Sequence, residues 1–277
     1  MPELPEVETV ARGLAARLTG RRVAQMLLNR ADLRWPMPPG LAAKVEGRRI
    51  ARIGRRAKYL LFHLEDGGVL LAHLGMSGRL VLGSDDAAET RPHDHVVFRF
   101  EGGPVLRFND ARRFGLLDYA ASAEALAQHP RLAQLGPEPL GNGFSGPVLA
   151  AGLAGRATPL KAALLDQHVV AGLGNIYVCE SLYHARLSPR RLARTVTGDR
   201  AERLAAAIRL VLERAIAAGG SSLRDYVQAS GELGYFQHQW AVYGKEGEPC
   251  PECDCRNGIG RIVQGGRSTF YCAKRQR

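Results

Sequence analysis

No run of about 18 or more apolar residues occurs in this 277-residue chain, which excludes a membrane-spanning helix on length alone. The first ten residues, MPELPEVETV, have neither the basic start nor the apolar stretch of a secretory signal. Cysteine is scarce: there are five, too few for a disulfide framework, and four fall between 250 and 272. That clustering points to metal in a reducing cytoplasm. Internal repeats and low-complexity tracts are missing too. What the chain has in excess is positive charge, with 38 Lys+Arg against 27 Asp+Glu, a net charge of +11. With 45% hydrophobic residues it can bury a core, which excludes a disordered basic arm. A basic folded protein meets a polyanion, nucleic acid or an anionic membrane surface; the plainer alternative is charge that serves solubility.

The pattern divides the chain into a strand-rich half and a helical half, an α+β fold. Apolar residues at Val7, Val10, Ala11, Leu14 and Leu18 predict a helix over 5–18, ended by Gly20. From 23 to 119 short β-rich runs at 48–53, 59–64, 69–73, 79–82, 96–100 and 105–108, punctuated by glycine pairs, predict a β-sandwich. Residues 120–135 read as helix, and 136–147, with three Pro and four Gly, as linker. Helices are expected at 160–170, 175–184 and 199–218. Runs at 260–263 and 268–271 around Gly265-Gly266 predict a hairpin. The expected domains are 1–130, a linker at 131–147, a helical domain at 148–242 and a hairpin at 243–277.

Two features carry chemistry. Cys250 and Cys253, spaced C-x-x-C, can take two corners of a zinc tetrahedron. Cys255 and Cys272 bring the sulfurs to four, but Arg275 stands three residues after Cys272, where a second C-x-x-C would end. A structural zinc and a metal-free hairpin both remain open. Removal of Met1 would expose the secondary amine of Pro2, an α-amino group nucleophilic near neutral pH, with Glu3 beside it to move protons. The alternative is a chain start that caps a helix.

Beyond these features, the whole chain resembles the bacterial formamidopyrimidine-DNA glycosylases. The resemblance rests on MPELPEVETV, RRAKYLL (55–61), HLGMSGRL (73–80), HDHV (93–96), RRFG (112–115), LGPEPL (135–140), GLGNIYVCESL (172–182), GYFQ (234–237), VYGKEGEPC (242–250) and GRSTFYC (266–272), in that order. It implies an N-terminal helix with a β-sandwich, then a helix–two-turn–helix domain with a zinc-finger-like hairpin. It also implies a cytoplasmic monomer that repairs double-stranded damaged DNA. By similarity, Pro2 attacks C1′ of an oxidised purine nucleotide, Glu3 assists by proton transfer, and β,δ-elimination follows. Lys58 and Arg267 serve the reacting phosphates and sugar. Met76, Arg112 and Phe114 fill the gap left by the everted nucleotide, and Asn175 and His93 contact DNA. Lys161 lies near the base pocket, Glu180 orders the N-terminal site, and 219–236 forms a loop over the base. Lys58, Arg112 and Arg267 are expected to converge on one bent duplex held in a cleft between the two halves. Zinc, one per chain, would be held by Cys250, Cys253, Cys255 and Cys272. The pattern departs from the family at Ala111, where proline is usual, and at Arg275, where the last cysteine is. The competing readings are an endonuclease VIII-like enzyme for oxidised pyrimidines and a non-catalytic binder of damaged DNA.

Overall fold

The computed structural model describes residues 2–83, 91–221 and 234–277. Its contacts separate two compact units: Met1–Ala133 with Ala218–Gln237, and Gln134–Ala217 with His238–Arg277. The first unit therefore draws on two distant stretches of chain.

The first unit begins with α1 (Leu4–Leu18) and is otherwise mostly sheet. The strands are β1 (Val23–Leu28), β2 (Ile50–Arg56), β3 (Tyr59–Leu64), β4 (Val69–His73), β5 (Arg79–Gly83), β6 (Asp94–Phe100), β7 (Val105–Asn109) and β8 (Leu116–Ala120), with α2 (Leu41–Val45) and α3 (Ala123–Ala127) between and after them. They form two four-stranded antiparallel sheets, ordered β1-β6-β7-β5 and β2-β3-β4-β8. The expected sandwich is thus present. Its core joins Val10, Leu14 and Leu18 of α1 to Leu60, Phe62 and Leu70 of one sheet and Val96, Phe98 and Phe108 of the other. Each fully buried large apolar side chain contributes about 1.5–3 kcal/mol, so this core dominates the unit's stability. The helix expected over 120–135 shrinks to α3, because Pro130 disfavours helical backbone at His129 and cannot donate.

The second unit holds α4 (Gly146–Leu153), α5 (Leu160–Leu165), α6 (Asn175–His184), α7 (Asp199–Ala217) and the hairpin β9 (Gly260–Gln264) and β10 (Arg267–Tyr271). The sequence hid α4 because it opens on Gly146-Pro147; Ser145 caps it, accepting from the Val148 N–H at 3.4 Å. α5 stops at Leu165, short of the expected 170, because the Asp166 carboxylate accepts the His168 N–H at 3.0 Å and turns the chain. Gln264 pairs with Arg267 across Gly265 (φ +55°) and Gly266 (φ +72°), the two left-handed residues a tight hairpin requires. No helix among the described residues is long and apolar enough to cross a membrane.

Candidate active site and nucleic-acid interface

In the first unit the chain start is locked to α1. Pro2 is buried, and Glu3, 3% exposed, is the residue before the helix. Glu3 and Glu6 form a capping box, in which the Glu3 N–H donates to Glu6 Oε2 at 2.8 Å. The other Glu6 oxygen accepts the Ser221 N–H at 2.8 Å. α1 packs on β2, where Arg55 Nε donates to Glu8 at 3.0 Å. Beyond β2, Ala57 (φ +52°) and Lys58 make the two-residue turn into β3, and Lys58 is buried.

His73, at the end of β4, brings Lys58 into a wider cluster. Burial first, then the positive charges of Lys58, Arg34 and Arg131, hold its imidazole down to about 4. Its Nδ1 accepts the Gly75 N–H at 2.9 Å, which fixes the neutral tautomer with the proton on Nε2. Gly75 starts the turn that carries Met76. The turn at 110–115 comes from the other side, tied by Asp110, which is fully buried. Its carboxylate accepts from Ser77 Oγ at 2.5 Å and from the Gly115 N–H at 2.7 Å, and Ser77 Oγ accepts the Arg112 N–H at 3.2 Å. The Asp110 N–H donates to the His93 carbonyl at 3.0 Å, which sets exposed His93 beside this turn. Between core-packed strands, Met76 and Phe114 stand 38% and 39% exposed, and the Arg112 guanidinium lies 4.9 Å from the Phe114 ring centre. Exposed apolar side chains on turns held this firmly are suited to insertion between bases.

The residue patterns had not singled out Asp110, Ser77 or Glu6 as site-builders, nor His73 outside its motif. They had also passed over Trp35, 48% exposed, with Arg131 5.4 Å from its ring centre. The adjacent Arg34 N–H donates to the Gly115 carbonyl at 3.1 Å, tying that loop to the Phe114 turn.

In the second unit, Asn175 is the first residue of α6, after the Gly172-Leu-Gly174 turn. Its Nδ2 donates to the Ser268 carbonyl at 2.9 Å and to the Tyr243 hydroxyl at 3.3 Å. The hairpin is thereby docked at the α6 N-terminus, with Arg267, exposed, next to Ser268. A helix N-terminus presents backbone N–H groups to an anion, and the docked hairpin adds an exposed arginine to the same unit. Lys161 is fully buried in α5. Glu180 accepts the N–H groups of Ala241, Val242 and Tyr243 at 2.8, 3.0 and 2.9 Å, so within this unit it orders the segment leading to the cysteine cluster.

Cys250, Cys253, Cys255 and Cys272 place their sulfurs within 4.8 Å of one another. Cys272 Sγ lies 3.5 Å from both Cys253 and Cys255 Sγ, near the separation of about 3.8 Å that a tetrahedron with 2.3 Å Zn–S bonds requires. Backbone N–H groups of Glu252, Cys255 and Arg275 donate to the sulfurs of Cys250, Cys253 and Cys272 respectively, the donor pattern that steadies thiolates. Burial pushes the Cys250 thiol up, but the Tyr183 hydroxyl and the Glu252 N–H bring it down to about 7. The donor set therefore fits a thiophilic divalent ion.

Comparison with known proteins places the chain in a family. Residues 1–117 match the model of the formamidopyrimidine-DNA glycosylase N-terminal domain, and 135–227 match that of its H2TH domain. The chain belongs to the formamidopyrimidine-DNA glycosylase family. Like the other members of that family it is a DNA N-glycosylase with AP lyase activity. The formamidopyrimidine-DNA glycosylase of Rhodospirillum centenum is 59% identical over 291 residues, with all of both chains covered, and that of Paracoccus denitrificans is 55% identical over 98% of each. Among solved structures, the MutM protein of Thermus thermophilus is 44% identical, with TM-score 0.87 over 99% of this chain and 98% of its own. Wild-type Lactococcus lactis Fpg, solved with DNA containing N7-benzyl-Fapy-dG, is 34% identical with TM-score 0.88 over the full length of both.

Proposed function

We propose that this glycosylase removes oxidised purines, 8-oxoguanine and formamidopyrimidines, from double-stranded DNA and then cuts the strand through an imine at Pro2. The observation that carries this reading is a proline and a carboxylate, both buried, at the mouth of α1, in the same unit as exposed Met76 and Phe114. The Pro2 nitrogen attacks C1′ of the everted nucleotide, and the glycosidic bond breaks with its electron pair leaving on the base, which takes up the proton the amine gives up. Glu3 gives a proton to the sugar ring oxygen, which opens the ring and leaves an iminium on Pro2. The iminium acidifies the C2′ proton; its loss expels the 3′ phosphate, and a second elimination expels the 5′ phosphate. No step needs a metal-bound nucleophile, since the amine supplies the electrons.

The other roles follow the same reading. Lys58 holds the phosphate beside the lesion. Met76 and Phe114 enter the gap left by eversion, offsetting a few kcal/mol of lost stacking, and Arg112 bonds the orphaned base. Asn175 and Arg267 grip backbone phosphate, His93 contacts DNA, and Lys161 lies near the base pocket. The recognition loop assigned to 219–236 lies, from 222 to 233, outside the described residues. Zinc is the metal proposed for Cys250, Cys253, Cys255 and Cys272, where it would tie the knuckle at 250–255 to the end of β10. The protein acts as a cytoplasmic monomer.

Borohydride trapping on a duplex with an abasic site tests the chemistry. Wild-type protein gives a covalent adduct and Pro2→Gly gives sharply less of it, while Glu3→Gln excises 8-oxoguanine about 100-fold or more slowly. Faster cleavage of thymine glycol than of 8-oxoguanine would reassign the substrate to pyrimidines.

A further inference from the structure

Arg275 occupies the position, three residues after Cys272, at which a second C-x-x-C pair would place its last sulfur. It does not project into solvent as a surface arginine does; its side chain is only 10% exposed. The guanidinium forms an ion pair through Nη2 with Glu252, which lies inside the Cys250–Cys253 knuckle. It also lies 4.9 Å from the Tyr183 ring centre, and the Tyr183 hydroxyl meets Cys250 Sγ at 3.3 Å. Its own N–H donates to Cys272 Sγ, as the Glu252 N–H does to Cys250 Sγ. Arg275 and Glu252 thus each hold a sulfur by the backbone and hold each other by the side chain. Arg275 Nε is buried with no hydrogen-bond partner among the described residues, a cost that a merely convenient surface residue would not carry.

We propose that Arg275 replaces a metal ligand with a clamp: paired to Glu252 and stacked on Tyr183, it locks the two cysteine-bearing turns together and leaves the fourth coordination position to Cys255. The ligand a missing thiolate would have supplied comes from the C-x-C step, and the closure it would have enforced comes from an ion pair. Arg275 is a positioning residue for the cluster, and the proposal rests on the reading that the cluster binds zinc. A lysine could keep the charge but not the planar stacking face.

Metal release from the full-length protein tests it. Zinc-loaded wild type, Arg275→Ala, Arg275→Lys and Glu252→Gln are mixed with a chromophoric chelator, and each protein is also loaded with cobalt for its thiolate-to-metal absorption. Arg275→Ala and Glu252→Gln are expected to release zinc about 10-fold or more faster than wild type, with Arg275→Lys between, while all keep a four-thiolate cobalt spectrum. Cys255→Ser is expected to lose one thiolate from that spectrum. Release from Glu252→Gln at the wild-type rate overturns the clamp, even if Arg275→Ala fails to fold. A three-thiolate wild-type spectrum that Cys255→Ser leaves unchanged overturns the ligand assignment. Wild type that takes up no metal overturns the zinc reading and the clamp with it.

Discussion

At His73 a single proton decides whether the Met76 turn keeps its anchor. The unfolded chain protonates this residue near 6.5, whereas the folded protein holds it neutral down to about 4, because burial and the charges of Lys58, Arg34 and Arg131 oppose a further cation. Between these values the unfolded state binds more protons. Stability from this site is therefore complete above pH 6.5 and is lost as pH falls toward 4. Protonation at Nδ1 also removes the acceptor of the Gly75 N–H. Urea denaturation should show a steeper loss of stability between pH 6.5 and 4 for wild type than for His73→Asn, which cannot take up that proton. Equal slopes would place the acid sensitivity elsewhere. In the sequence His73 was visible only as the first letter of a motif; its environment comes from strands and loops far apart in the chain.

The next scale is that of turns and strands. Gly75 has φ +62°, and a Cβ there would lie 2.3 Å from the Phe114 carbonyl carbon and oxygen. The two turns that present Met76 and Phe114 touch backbone to backbone, and only glycine allows it. Gly75→Ala should cost about 2 kcal/mol or more, read from the urea midpoint, and should slow nucleotide eversion, read by 2-aminopurine fluorescence opposite the lesion. A variant as stable as wild type would mean that the turns separate cheaply. Strands such as Tyr59–Leu64 and Val69–His73 were legible with correct ends, since the β-rich runs on either side of Gly67-Gly68 are short and sharply bounded. Helix ends decided by side chains were less so: α5 stops where Asp166 captures an N–H, and α4 hides behind Gly146-Pro147. Pro2 and Glu3 were legible because they are sequence neighbours at a chain start. Asp110 was not, because its role arises only when Ser77 and Gly115 fold against it.

For the whole molecule, the net charge of +11 sets how binding responds to salt. Each phosphate neutralised contributes about −0.9 to the slope of log K against log salt concentration. With Lys58, Arg112 and Arg267 as contacts, a slope of about −3 or steeper is expected for a lesion duplex. Arg267→Ala should reduce its magnitude by about one and weaken binding to every sequence alike. Binding insensitive to salt would contradict an electrostatic grip. The charge balance was readable from composition, but which cations stay exposed was not: Arg107 is spent on a buried pair with Asp94 at 3.3 Å, whereas Arg267 is exposed on its hairpin.

The hydrogen bond from Ser221 to Glu6 spans 215 residues. On a ribosome adding about 5–20 residues per second, Glu6 waits roughly 10–40 s for that partner. The helix end that carries Pro2 is among the first parts of the chain to be made and among the last to be finished. A nascent chain therefore carries the start of α1 without this tie to the first unit until residue 221 has been added, about four-fifths of the way along the 277.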